Sequence, residues 1–304
     1  MRVSLIDLGS NSIKFLVAEI SSGGEAVILA EQSEGTRLGE GLYEEPFLRE
    51  VAIQRTLAVL TQFRAMAESL NVTQWNAVAT SAVRDARNRP LFEQQFQSIM
   101  GFPLRVLSGE EEAALIYRGV TSDRQMTPEG TSLLVMDSGG GSAEWIRGTP
   151  KQLDQRISLN LGCVRMTERF LRGDPYTEDS FAELIRHYEE QLQPLVAPFH
   201  ALQLKMIGTG GSICAAAAIQ QNFLAASGMQ LHGQTLSLAQ LEKITHHLRH
   251  LTQAERLQIP ALPAKRADIV VAGLALFITA MRLFHASEIT VSLRNLRYGL
   301  LAEF

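Results

Sequence analysis

The segment Val3-Ser4-Leu5-Ile6-Asp7-Leu8-Gly9-Ser10-Asn11-Ser12 decides how the rest of the chain is read. An apolar strand from Val3 to Asp7 ends on a carboxylate and enters a polar turn, and Ile13 to Ile20 reads as its hairpin partner. From Ser132 the pattern returns. Leu133-Leu134-Val135-Met136 is again apolar, Asp137 stands where Asp7 stood, and Ser138-Gly139-Gly140-Gly141-Ser142 is again a turn before the strand Ala143 to Ile146. A strand, an aspartate and a glycine turn used twice indicate an internal duplication.

The rest of the chain supports two matched units. After the first hairpin, Val27-Ile28-Leu29-Ala30 gives a third strand inside a glycine-rich stretch, and Leu48 to Leu70 carries apolar residues at helical spacing. A strand from Trp75 to Ala79 runs into Thr80-Ser81-Ala82-Val83-Arg84, a helix follows at Leu91 to Met100, a strand at Leu104 to Leu107, and a helix opens at Glu110. The second copy continues with a strand near Arg156 to Asn160, helices near Val164 to Leu171 and Glu178 to Leu192, and a strand Leu204 to Ile207 that feeds Gly208-Thr209-Gly210-Gly211-Ser212. That loop matches Thr80-Ser81-Ala82. A helix near Ala267 to Phe284, a strand Glu288 to Val291 and a helix near Asn295 to Phe304 close the chain. The expected division is a first lobe over residues 1–122 and a second over 123–294, with 295–304 packing back on the first.

A chain of 304 residues is near the upper limit for one continuous core, so an α/β protein of two lobes around a cleft is expected, with the chemistry in the cleft. The 46% hydrophobic and 20% charged content excludes the disordered and fibrous classes. A net charge of −4 argues against specific nucleic-acid binding, which needs many phosphate contacts, so a phosphorylated ligand would be held locally. Cys163 and Cys214 build neither a disulfide framework nor a zinc site, which suits a reducing cytoplasm. The chain offers neither a signal peptide nor an apolar run of about 18 residues for a membrane span, so no membrane partner is expected.

Tight turns aim backbone N–H groups at anions, and two of them facing each other would suit a polyphosphate. Each turn by itself is also explained as a simple hairpin connection. Asp7 and Asp137 could hold a hydrated Mg²⁺ across the cleft, or merely close their hairpins as Asx turns. Glu144 could assist that metal or be a solvated strand carboxylate. In Glu110-Glu111-Glu112, Ser108 and Glu111 have the spacing of a capping box, and Glu110 suits the helix dipole in solvent. Glu112 has no local role; it is either a general base or a second dipole-stabilising acid. Arg84 and Arg87 follow a strand end and suit phosphate contact or a plain surface; Asn160, Gly162 and Arg165 form a turn that could touch phosphate or cap a helix. His246, His247 and His250 read as a solvated basic face, and no P-loop or dinucleotide fingerprint is present.

Taken together, Ile6-Asp7-Leu8-Gly9-Ser10-Asn11-Ser12, Ser108-Gly109-Glu110-Glu111-Glu112-Ala113, Asp137 to Ser142 and Gly208 to Ser212 resemble the exopolyphosphatase / guanosine pentaphosphate phosphohydrolase (Ppx/GppA) family. The likeness extends to Arg84, Asn160-Leu161-Gly162-Cys163-Val164 and Arg266-Ala267-Asp268. It implies two actin/Hsp70-like (ribonuclease H-like) lobes and release of orthophosphate from inorganic polyphosphate or from pppGpp. It implies Glu112 as general base, Asp137 and Glu144 with Asp7 nearby at a Mg²⁺ site (Mn²⁺ the alternative), and phosphate binding by Gly9, Ser10, Asn11, Ser12, Arg84, Gly139, Gly140, Gly141, Ser142, Gly208, Thr209, Gly210, Gly211 and Ser212. The expected assembly is a monomer or homodimer.

Two departures qualify the resemblance. Leu293-Arg294 follow Ser292 where the family commonly shows aspartate and glycine, which bears on nucleotide-side or distal phosphate contacts. Longer members continue into an all-helical domain, and a chain ending at Phe304 is expected to favour short polyphosphate. Two other readings stand beside the hydrolase: an ATP-dependent small-molecule kinase of the same fold, and a non-catalytic sensor of polyphosphate or a guanine nucleotide.

Overall fold

A computed structural model describes residues 1–199, 204–222 and 228–304. The first sheet has the order β3-β2-β1-β4-β5, built from β1 (Arg2–Leu8), β2 (Ile13–Ile20), β3 (Ala26–Glu34), β4 (Gln74–Ala79) and β5 (Arg105–Val106). The second has the order β10-β11-β9-β6-β7-β8, built from β6 (Leu133–Ser138), β7 (Ala143–Thr149), β8 (Gln152–Leu159), β9 (Lys205–Thr209), β10 (Thr235–Ser237) and β11 (Glu288–Val291). In each sheet the opening strand lies between its antiparallel hairpin partner and a later parallel strand. This is the duplicated two-lobed actin-like arrangement expected from the sequence, with β10 added at one edge.

The helices of the first lobe are α1 (Glu50–Ser69), α2 (Ser81–Asp85), α3 (Arg89–Met100) and α4 (Gly109–Thr121). Those that follow are α5 (Cys163–Phe170), α6 (Glu178–Leu192), α7 (Val196–Phe199), α8 (Gly211–Gln221), α9 (Leu238–Arg249), α10 (Gln253–Arg256), α11 (Val270–Leu283) and α12 (Leu296–Leu301). The stretch 80–84 and residues 210–212 of the loop 208–212, expected only as strand-to-loop transitions, open helices α2 and α8, while Gly208 and Thr209 end β9.

Burial explains why the elements sit where they do. Every residue of β1 after Arg2 is buried, as expected of a strand covered on both faces. On α11, Val270 to Met281 are buried without a break, so this helix is apolar all round and runs through the second lobe's core. A third apolar cluster joins the lobes. It takes Leu5 and Val78 from the first sheet, Val135 and Ile207 from the second, Ile116 from α4 and Leu300 from α12. Helices α4 and α12 therefore lie between the two sheets and form the floor of the cleft. Their backbones touch: a Cβ on Gly299 would lie 1.9 Å from the Leu115 carbonyl oxygen, so only glycine fits there.

Candidate active site

Both aspartate hairpins use the same local device. Gly9 N–H donates to the Ser12 carbonyl at 3.2 Å, and Gly139 N–H donates to the Ser142 carbonyl at 3.1 Å. Among the described residues the backbone N–H groups of Ser10, Asn11, Gly140 and Gly141 have no protein acceptor. Consecutive N–H groups left open in a turn are suited to anion oxygens. The two turns meet: a Cβ on Gly140 would stand 2.8 Å from Ser10 Cβ, and one on Gly141 would stand 2.0 Å from Tyr43 Oη. Glycine at 140 and 141 is thus what lets the lobes close upon each other.

The cavity between the turns is narrow, about 50 Å³, and opens into an outer cavity of about 610 Å³. Its wall includes Asp7, Gly9, Ser10, Asn11, Ser12, Glu112, Asp137, Gly139, Gly140, Ser142, Gly210 and Gly211. Gly210, at φ +94°, takes a backbone conformation that suits glycine, and a Cβ there would sit 2.7 Å from the Ser138 carbonyl oxygen.

The three acids at the start of α4 separate by burial. Glu110 is 72% exposed and ion-paired with Arg156, and Glu111 is 49% exposed and closes the capping box with Ser108. Glu112 is 7% exposed and faces inward. Arg84 Nη1 donates to Glu112 Oε2 and to the Leu107 carbonyl, each at 3.0 Å. Burial pushes the Glu112 carboxyl up, Arg84 pulls it back, and Asp7 and Asp137 push it up again; the balance lies at about 7.

Asp7 accepts from Lys14 at 3.2 Å. Asp137 has no such cation across its hairpin and faces Glu144 instead. Burial raises Asp137 to about 6, with Lys14 opposing, Asp7 adding to the rise and Arg266 opposing. Glu144 is fully buried and is raised well above the usual carboxylate range, by burial first and by Glu112 and Asp137 next. Its Oε1 accepts from Ser158 at 2.7 Å. Its Oε2, together with Asp7 Oδ1, Ser138 Oγ and Thr209 Oγ1, is buried without a partner. Buried polar atoms are normally paired, so orphaned oxygens gathered on one cleft mark a place for a ligand.

Not every expected residue reaches the inner wall. Arg84 is occupied by Glu112, and Gly141 lends its carbonyl to Arg165 Nε at 3.0 Å. Thr209 borders the outer cavity only. Gly208 lies inside β9, where a Cβ would stand 2.9 Å from Ile289 Cδ1, and Ser212 is buried against Gly273. Glu144 stands behind Asp137 rather than on the wall. Arg87 and Asn160 are exposed. Arg165 forms a clasp between the lobes: it pairs with Asp85 at 2.6 Å and lies 3.9 Å over the Tyr43 ring, whose hydroxyl donates to Ser10 Oγ at 3.1 Å. Gly41 N–H to Glu168 at 3.1 Å and an Arg37–Asp268 ion pair extend the clasp.

Lys14 and Asn295 escape sequence reasoning, and Arg266 enters it only as part of the family likeness, without a role. Lys14 and Arg266 bring cations to both cavities, and Asn295 enters from the start of α12. Lys14 is legible afterwards, since in the hairpin register it faces Asp7. Asn295 has no local signal, and the likeness that includes Arg266 does not say which site it reaches.

The sequence profile of the Ppx/GppA phosphatase family matches residues 16–304. The chain belongs to that family. Among solved structures, an Aquifex aeolicus Ppx/GppA family member is 30% identical, over 100% of this chain and 97% of that one, with a TM-score of 0.83. An exopolyphosphatase from Cytophaga hutchinsonii is 29% identical over 99% and 97%, with a TM-score of 0.92. Membership makes this Ppx/GppA chain a phosphoric anhydride hydrolase. No helix among the described residues is long and apolar enough to cross a membrane.

Proposed function

We propose that this chain removes terminal orthophosphate from inorganic polyphosphate, with Glu112 as general base. The observation that carries the reading is the placement of one buried carboxylate, out of three neighbouring acids, on a cavity between two turns in which the N–H groups of Ser10, Asn11, Gly140 and Gly141 lack protein acceptors. A narrow inner cavity behind a wider outer one suits a chain that enters tip first. Both turns with Gly210 and Gly211 would hold the terminal phosphoryl oxygens, and Lys14 and Arg266 would neutralise the next phosphates. Glu112 would accept a proton from water as the water oxygen attacks the terminal phosphorus. The bridging P–O bond then breaks and its electron pair stays on the shortened chain.

The donor set fits a hard divalent cation. Its buried oxygens without partners are carboxylate and hydroxyl oxygens, Ser138 Oγ and Glu144 Oε2 on the second hairpin, Asp7 Oδ1 on the first and Thr209 Oγ1 on β9. Among the described residues no three His, Cys, Asp or Glu side chains form a ready cage. Mg²⁺ needs none, because it keeps most of its waters and takes one or two carboxylates. Asp137 would be the direct ligand, Glu144 would act behind it, and Asp7 would stand opposite; Mn²⁺ is the alternative ion. Such an ion would supply charge neutralisation at the phosphoryl oxygens.

The same site would act on the 5′-triphosphate end of pppGpp, for which the outer cavity leaves room. The free thiols Cys163 and Cys214 suit a reducing cytoplasm. Phosphate release measured in parallel on short polyphosphate, long polyphosphate and pppGpp, with Mg²⁺ and with a chelator, tests the reading. Metal-dependent release from short polyphosphate without any acceptor is expected. Binding without turnover would favour a sensor, and release only when an acceptor is supplied would favour a kinase.

A further inference from the structure

Among the described residues the chain passes between the lobes twice, first where α4 ends at Thr121 and leads through Ser122 and Asp123, and again at Ser292 to Asn295 between β11 and α12. A small polar cluster ties these crossings together, and the proposed hydrolysis does not account for it. His232 Nε2 lies 2.7 Å from Asp123 Oδ2, and the Leu293 backbone N–H donates to His232 Nδ1 at 3.0 Å. An N–H can only donate, so Nδ1 carries the lone pair and Nε2 carries the proton given to Asp123: the ring is held as the neutral Nε2–H tautomer. Arg294 Nη1 donates to Ser122 Oγ at 2.9 Å, its Nε stands 3.8 Å from Asp123 Oδ2, and its guanidinium lies 5.7 Å over the Tyr298 ring. Asp123 is itself anchored, accepting from the N–H groups of Gln125 and Met126 at 2.9 and 3.2 Å.

The second crossing also borders the reaction cavity. Asn295 and Leu296 stand in the same wall as Glu112, and a Cβ on Gly119 of α4 would lie 2.1 Å from the Asn295 carbonyl oxygen. The backbone of residue 295 therefore rests directly on the helix that carries Glu112. A shift of the crossing cannot be absorbed by a side chain; it moves the wall.

We infer that His232 and Arg294 are positioning residues, which brace the second interlobe crossing on Asp123 and thereby hold Asn295 and Leu296 against the Glu112 helix. Neither touches the cavity wall, and their effect runs through the backbone of residues 293–295. The kinetic part of this inference rests on the proposed polyphosphate hydrolysis; the structural part does not.

The test uses the full chain labelled with ¹⁵N. Long-range ¹⁵N–¹H spectra should show His232 as the Nε2–H tautomer, and the Leu293 amide should exchange slowly. His232→Asn keeps an acceptor where Nδ1 stands, whereas His232→Gln places its amide near Nε2 and loses the Leu293 bond. His232→Gln and Arg294→Gly should each lower kcat on short polyphosphate about tenfold, with KM changed less than about twofold, since small misplacements near a reacting group cost rate rather than affinity. Leu293 protection should fall by about tenfold or more in His232→Gln; His232→Asn should keep that protection to within about threefold of wild type, yet its kcat should still fall, because the link to Asp123 is lost. A Leu293 amide that already exchanges freely in the wild type, or a His232→Gln variant that loses protection yet keeps wild-type kcat, would overturn the inference. If the wild type releases no phosphate from polyphosphate, the proposed activity fails, while tautomer and amide exchange still decide the brace.

Discussion

Lys14 faces Asp7 across the first hairpin, and Glu144 faces Asp137 across the second. The backbones of the two hairpins match down to the Gly9–Ser12 and Gly139–Ser142 hydrogen bonds, so the difference lies in one cross-strand side chain. The first lobe neutralises its aspartate with its own cation. The second sets two carboxylates against each other, and like charges directly opposite are destabilising unless a proton or a cation intervenes. Burial is the first cause of the raised Asp137 and Glu144; Asp7 adds to the rise of Asp137, and Glu112 and Asp137 add to that of Glu144. Under the proposed function both turns would hold the phosphate end, and the second hairpin would also gather the metal.

The strongest way to break this comparison is to remove the acid that both hairpins face. Glu112→Gln should lower kcat for phosphate release by about 10²-fold or more, as expected for a lost general base, while leaving the thermal midpoint close to wild type. Wild-type turnover in that variant would sink the assignment. The asymmetry itself comes next. Asp137→Asn and Glu144→Gln should raise the Mg²⁺ concentration for half-maximal activity by roughly 10–100-fold, the scale on which metal sites respond to loss of supporting groups. Lys14→Met, by contrast, should raise KM for polyphosphate with a much smaller change in Mg²⁺ requirement, and an equal metal response from both hairpins would erase the distinction.

Proton linkage sharpens it further. Glu112 at about 7 and Asp137 at about 6 lie above their ordinary values of 4.5 and 3.8, so the folded state binds these protons more tightly than the unfolded chain. Their contribution to stability is therefore present at low pH and lost as pH rises through about 4 to 7. Denaturation midpoints at pH 5 and pH 7.5 in chelator should show a smaller fall for Glu112→Gln than for wild type, and Mg²⁺ should reverse the wild-type fall. The activity limb has the opposite sense: a base works unprotonated, so rate rises with pH through the Glu112 titration. The smallest effect belongs to the clasp. Tyr43→Phe removes one hydroxyl bonded to Ser10 and should change stability by about 1 kcal/mol, read as a shift in denaturation midpoint.

Much of the fold is legible in the order of residues. The bounds Ile13–Ile20, Glu178–Leu192 and Glu288–Val291 coincide with those expected, because apolar periodicity and flanking turns act within a single segment. The duplication is legible because Asp7 and Asp137 each close an apolar strand before a glycine turn. Once Ser108 and Glu111 are seen to cap the helix, Glu112 is left without a local role; the choice between a base and a second dipole-stabilising acid stays open in the residues and only the family likeness points to the base, and the structure buries this acid alone of the three. Helices α2 and α8 are missed at their starts because serine and glycine at a strand end signal a turn as strongly as a helix opening.

Other features have no local signature. Arg84 reads as a phosphate ligand or a plain surface arginine, and its pairing with Glu112 appears only in the fold; Gly208 has the company of a phosphate loop although it lies inside a strand. Arg266, Asn295 and the cluster of Asp123, His232 and Arg294 come together from positions far apart in the chain.

The sequence by itself determined the two hairpins, the doubled α/β plan and the capped helix with one acid to spare, because strand alternation, turn chemistry and capping depend on residues close in the chain; the family followed from the likeness of its motifs and from the family profile. Only the tertiary structure decided which turn faces which, that Lys14 closes one aspartate while Glu144 opposes the other, and that the two lobe crossings are braced on Asp123. Those outcomes depend on how two sheets and the helices between them pack, and packing brings together residues that no local pattern relates.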